Sequence, residues 1–141
     1  MENINVKLYP KAFIPVRAHQ LDAGLDLRTP YEFTIPSGGS YQIDTGVHVA
    51  IPAGYYGKLE SKSGLNVNHG VVSLGGVIDA GYTGSIVAKL YNFGEYDYHF
   101  NAGDKIVQLI IMQCETPEVV VTFDAFVATE RGDNGFGSSG K

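Results

Sequence analysis

The chain has a single cysteine, Cys114, set in an apolar run, so no disulfide can form within it and a reducing compartment is its natural setting. No stretch approaches the roughly 20 apolar residues of a membrane span. The N-terminus, M-E-N-I-N-V-K-L-Y, lacks the basic-then-apolar order of a signal peptide. A soluble, cytoplasmic protein is expected. Basic residues number only 10 against 15 acidic ones, giving a net charge of −5 and a pI near 5.2. That balance weighs against a nucleic-acid surface, which needs clustered Lys and Arg to displace counterions from phosphates. Neither nucleic acid nor membrane is an expected partner. A small polyanion stays compatible, provided a few cations converge locally or a divalent metal neutralises it.

Familiar catalytic signatures are missing too. His19, His48, His69 and His99 show neither H-E-x-x-H spacing nor a cysteine partner, which argues against zinc. There is no G-x-S-x-G elbow and no G-x-x-x-x-G-K-[ST], so ordinary hydrolase triads and P-loop chemistry are set aside. What is present is 141 residues, 44% hydrophobic and 18% charged, with no low-complexity run: one domain with a real core.

The apolar pattern has the period of strands. Ile4, Val6 and Leu8 alternate with polar residues up to Pro10, and the run from Phe13 to Leu27, with Gly24 between Asp22 and Asp26, reads as a loop entering a short strand. Turns flank 31–35. Ile43, Thr45, Val47, Val49 and Ile51 alternate over nine residues, which predicts one strand ending at Pro52. The run K-I-V-Q-L-I-I-M at 105–112 is apolar on both faces and predicts a strand buried on both sides. Gln108 is its exception, an amide that must bond a neighbouring backbone or face a polar site. Pro117 separates this strand from 119–127, rich in β-branched and aromatic residues. The class is all-β.

The stretch G-V-I-D-A-G-Y-T-G at 76–84 predicts a hairpin, with Val77 and Ile78 entering a turn and 85–92 leading out. Asp79 and Tyr82 at its tip could put a carboxylate and a ring into one pocket, fit for a flat polar ring and a water. Asp and Gly also favour turns for conformational reasons alone. Lys58, Ser61, Lys62, Ser63 and Gly64 gather hydroxyls and cations suited to phosphate oxygens, or to a solvated turn. Asp22 and Asp26 could serve a metal or its waters, or make local turns. The last fourteen residues, A-T-E-R-G-D-N-G-F-G-S-S-G-K, cannot pack a core and are expected to be mobile without ligand. Arg131, Phe136, Ser138 and Ser139 within them could cover a base and grip phosphates.

Five short motifs stand in order: A-G-L-D-L at 23–27, S-K-S-G-L at 61–65, 76–84 above, G-D-K-I-V-Q-L at 103–109 and R-G-D-N-G-F-G-S-S-G at 131–140. With these the chain resembles the trimeric dUTP pyrophosphatases, the dUTPase family, along nearly its whole length. The resemblance implies a distorted jelly-roll subunit over 1–127, a Gly/Ser-rich tail over 128–141 closing a neighbour's active site, and a homotrimer. It implies hydrolysis of dUTP to dUMP and pyrophosphate with Mg²⁺.

By the same resemblance, Asp79 orients and partly deprotonates the attacking water. The 76–84 segment, from Gly76 with Val77 and Ile78 as walls, holds uracil through its backbone. Tyr82 stacks on deoxyribose, and Phe136, beside Gly137, closes over the base. Lys62, Ser63, Gly64, Gln108, Arg131, Ser138 and Ser139 hold the triphosphate, while Asp26 touches Mg²⁺ through water. The second motif commonly has Arg where Lys62 stands, and a point charge replaces a planar fork there. Two rivals are a dCTP deaminase of similar fold, disfavoured by A-G-Y after Asp79 and by the full tail, and a non-catalytic trimeric binding module. A further protein partner is not legible in the sequence.

Overall fold

The computed structural model describes residues 3–137 and Gly140. Eleven strands and one short helix follow in order: β1 (Asn5–Leu8), β2 (Leu25–Arg28), β3 (Phe33–Ile35), β4 (Ser40–Asp44), β5 (Val47–Ala50), β6 (Tyr55–Ser61), α1 (Ser63–His69), β7 (Val71–Ser73), β8 (Val77–Ile78), β9 (Val87–Asn92), β10 (Tyr98–Phe100) and β11 (Lys105–Gln113). All pairings are antiparallel. The strands form a four-stranded sheet, β2-β11-β6-β8, a three-stranded sheet, β4-β9-β7, and the pairs β1-β5 and β3-β10. This is the expected all-β, distorted jelly roll. Among the described residues no helix is long and apolar enough to cross a membrane.

One core serves all four sheets: Leu27, Leu59 and Leu109 from the first meet Ile43, Leu90 and Val71 from the second, with Phe33 stacked on Phe100 at 4.8 Å. Each fully buried leucine contributes roughly 1.5–3 kcal/mol of apolar burial. Two faces of the four-stranded sheet therefore have different fates. Leu25, Leu27, Leu59, Ile78 and Leu109 point into the core, and the alternate residues point away from it.

Four expectations need correction. The nine-residue alternation of 43–51 is two strands, not one. Gly46, at φ 67°, bends the chain between β4, which pairs with β9, and β5, which pairs with β1. The Asp44 carboxylate stabilises the bend by accepting the Gly46 N–H at 2.9 Å. Ile43, Thr45, Val47, Val49 and Ile51 stay buried across it, so the partner changes while the face does not.

The 76–84 segment is likewise no hairpin, because its flanking strands are not partners. β8 pairs with β6, whereas β9 pairs with β4 and β7, so the loop crosses from one sheet to the other. The S-K-S-G-L stretch is not wholly loop: Ser61 ends β6, and α1 starts at Ser63 and stops at Gly70, whose φ of 67° suits glycine. Finally, β11 is buried on both faces only around Ile106, Val107 and Leu109. Ile110 and Ile111 are half-buried and Met112 is exposed.

Candidate active site

Strand register assembles the site. On β11, Lys105 lies opposite Arg28 and Val107 opposite Leu27, so Ile106 is an extra residue and the pairing carries a bulge. In a regular strand Lys105 and Gln108, three apart, would point to opposite faces. The bulge puts them on one face, with Gln108 directly opposite Asp26 on β2 and Glu60 on β6. Lys58 shares this face by alternation, lies opposite Val77 on β8 and is ion-paired to Glu60. Lys62 continues the same phase just past the end of β6. One polar face, turned from the core, thus collects residues from four strands.

At its centre the Asp26 side chain is only 3% exposed. Lys62 Nζ bonds its Oδ1, and Lys105 Nζ sits 2.7 Å from its Oδ2. Burial, the largest single influence, would raise this carboxyl. The two ammoniums together outweigh it and hold Asp26 below the usual carboxylate range. One negative charge shared by two positive ones leaves a local cationic excess, which suits an anion. Gln108 donates from Nε2 to the Ser61 carbonyl at 3.0 Å, meeting the need its amide posed. It fits only because residue 24 is glycine: a Cβ there would lie 2.2 Å from its Oε1.

Beside this face runs the 76–85 loop. Gly76 needs its glycine twice, for φ 94° and because a Cβ would fall 2.7 Å from that of Leu59. Val77 is 65% exposed and available as a wall, but the Ile78 side chain, 8% exposed, is packed into the core, so only its backbone can line a site. Asp79 is exposed, and its carbonyl accepts the Tyr82 N–H at 3.0 Å, closing a turn. The Tyr82 ring folds over Gly84, and its hydroxyl donates to the Ser85 carbonyl at 2.8 Å. Ser63 and Gly64 lie exposed in the first turn of α1.

A family model described as dUTPase matches residues 11–140. The chain belongs to the dUTPase family. It is 40% identical over 134 residues to the deoxyuridine 5'-triphosphate nucleotidohydrolase of Paramecium bursaria Chlorella virus 1, a match covering 95% of this chain and 94% of that one. Among solved structures, a mutant dUTPase of Staphylococcus bacteriophage 80alpha with dUpNHpp gives a TM-score of 0.92 at 30% identity, over 100% of both chains. A mutant dUTPase from phage phi11 of S. aureus, described with a structural Mg(II) ion, gives 0.81 at 30% identity, over 86% of this chain and 97% of that one.

Of the family's motifs in this chain, the first four meet around the polar face and the 76–85 loop. The described residues of the fifth do not join them within the chain. Arg131 bonds the Asn134 and Gly135 carbonyls of its own segment, and Phe136 is fully exposed, with Gly137 next to it. Ser138 and Ser139 lie outside the described residues. Among the described residues no three His, Cys, Asp or Glu side chains gather as a metal cage. Asp26, with both oxygens engaged by lysines, fits an outer-sphere contact to a hydrated ion held by other oxygens, not a direct ligand. Sequence reasoning missed Lys105 as a partner of Asp26, and Gly24 as the space for Gln108.

Proposed function

We propose that this chain is a dUTP diphosphatase, cleaving dUTP to dUMP and pyrophosphate. The observation that carries the reading is the single polar face to which β2 contributes Asp26, β11 Lys105 and Gln108, β6 Lys58 and Glu60, and β8 Val77, bordered by a loop bearing Asp79 and Tyr82. Asp79 orients a water for attack on the α-phosphorus and takes its proton as the bond to the bridging oxygen breaks and pyrophosphate leaves. Uracil lies against Val77 and the backbone of 76–78, where a tight wall excludes thymine's methyl group by shape. Tyr82 packs on the deoxyribose.

Lys62 and Gln108 hold phosphate oxygens with Ser63 and Gly64. Lys62 must then turn from Asp26, leaving that carboxylate to Lys105 and to the water shell of Mg²⁺. When bound with the triphosphate, Mg²⁺ supplies charge neutralisation. The tail, 128–141, brings Arg131, Phe136, Gly137, Ser138 and Ser139 to a neighbour's site in a homotrimer, with 1–127 as the jelly-roll unit, in the cytoplasm. Support for association comes from 119–127: Val119, Val121, Phe123, Phe126 and Val127 are exposed, with no cover among the described residues.

Pyrophosphate release is measured with Mg²⁺ and, separately, dUTP, dTTP, dCTP and UTP. Release from dUTP alone is expected, whereas none from any substrate overturns the reading. Asp79→Asn should abolish turnover while dUTP still binds, and near-normal turnover would remove Asp79 from its role.

A further inference from the structure

The loop that carries Tyr82 has two side-chain ties to the β4–β5 region, outside the polar face, just before Ile86 bonds Thr45 and Val47 through its backbone. The His48 ring, on β5, bonds the Thr83 carbonyl through Nδ1 at 2.8 Å. The Ser85 hydroxyl donates to Asp44 Oδ1 at the end of β4. Between these ties lies Gly84, over which the Tyr82 ring folds: a Cβ there would sit 2.4 Å from the tyrosine oxygen. The Tyr82 hydroxyl in turn bonds the Ser85 carbonyl. Every polar hold on the ring therefore runs to a segment anchored by His48 and Asp44.

We propose that His48 and Asp44 are positioning residues which, by fixing 83–85, place the Tyr82 ring and set the discrimination between deoxyribose and ribose triphosphates. This rests on the dUTP diphosphatase reading. A carbonyl only accepts, so the hydrogen of the imidazole sits on Nδ1. The other nitrogen, Nε2, is buried and has no partner among the described residues. An apolar side chain would pack there without leaving such an atom bare, so what the imidazole adds at this position is its bond to Thr83. Tyr9 fixes the plane of the ring edge-on, with centroids 4.3 Å apart at 61°. Asp44 is held from its own side by the Gly46 N–H. A ring packed on a sugar face excludes one extra hydroxyl only while its position is held to a fraction of an ångström, so loosening either tie lets ribose in.

The test is kcat/KM in the full chain for dUTP and, at enzyme concentrations high enough to read trace turnover, for UTP, for the unaltered protein, His48→Phe, His48→Asn and Ser85→Ala. His48→Phe keeps a ring beside Tyr9 but removes the N–H, and should lower the dUTP/UTP ratio about tenfold. His48→Asn can set its amide nitrogen where Nδ1 stands, and should restore the ratio to within about threefold. Ser85→Ala removes one exposed hydroxyl, keeps the test valid should the ring variant misfold, and should lower the ratio about threefold. Equal losses for both substrates, leaving the ratio unchanged in Ser85→Ala or in a folded His48→Phe, overturn the proposal and reduce the ties to mere structure. No dUTP hydrolysis by the unaltered protein overturns the underlying reading, and this one with it.

Discussion

Replacing Asp26 with asparagine keeps the shape of the side chain and removes its charge, leaving two ammoniums facing a neutral amide. Removing one partner from a fully buried ion pair typically costs about 3–5 kcal/mol, and a single charge-assisted hydrogen bond contributes about 1.5–3 kcal/mol. Asp26 is 3% exposed, but the Lys62 and Lys105 side chains are 27% and 36% exposed, so both can turn partly to water. The amide oxygen also still accepts one bond. A loss of about 2–3 kcal/mol follows, toward the lower end of these ranges. At about 3 °C per kcal/mol for a chain of this size, Tm should fall by about 6–9 °C.

The assay is thermal unfolding followed by circular dichroism, with chelator present so that no metal sits near the carboxylate, and at one protein concentration because association shifts Tm. Lys105→Met and the double variant complete a cycle whose coupling energy should be about 1–2 kcal/mol. A coupling below about 0.5 kcal/mol would refute the reasoning. Lys105 would then be solvated independently, and the buried carboxylate would not hold it.

Three further outcomes are expected. Gly24→Ala would drive a Cβ into Gln108, 2.2 Å from its Oε1, breaking the bond to Ser61; overpacking should cost about 1–3 kcal/mol in unfolding and lower kcat/KM about tenfold, and an unchanged rate would count against Gln108 as a phosphate ligand. Asp44 is held below the usual carboxylate range first by the Ser85 hydroxyl and then by the Gly46 N–H, so its contribution is full above the unfolded pKa of about 4 and lost as pH falls through the lower folded value. The Tm gap between the unaltered protein and Asp44→Asn should thus hold steady from about pH 7 to 5 and close below about pH 4; a gap constant into strong acid contradicts the assignment. Deleting residues 130–141 should cripple turnover with little change in Tm, since the last strand ends at Gln113, and an undiminished rate would exclude tail closure.

The motifs were legible because each is local: a glycine that a turn or a close neighbour demands, an aspartate at a loop tip, hydroxyls beside a lysine. Alternation was equally informative about burial, and correct at Ile43, Thr45, Val47, Val49 and Ile51. It carries no information about which strand lies alongside. That is why one strand was expected where Gly46 divides two, and a hairpin where the 76–85 loop passes between sheets. Arg131 and Phe136 were readable as residue types but not as places, because no described residue of the same chain covers them.

Lys105 is the instructive omission. Read as a regular strand, K-I-V-Q sets its lysine and glutamine on opposite faces, and one polar residue would then have to enter the core. Burying a lone ammonium or amide there costs more than leaving a single strand position unpaired. Two polar residues three apart in an otherwise apolar strand are thus themselves a reason to expect a bulge. Once the bulge is granted, both side chains must share a face, and Asp26 lies on it. The cationic excess around that carboxylate follows from this spacing, so the cationic end of the polar face is set by a defect in β11 as much as by the residues that line it.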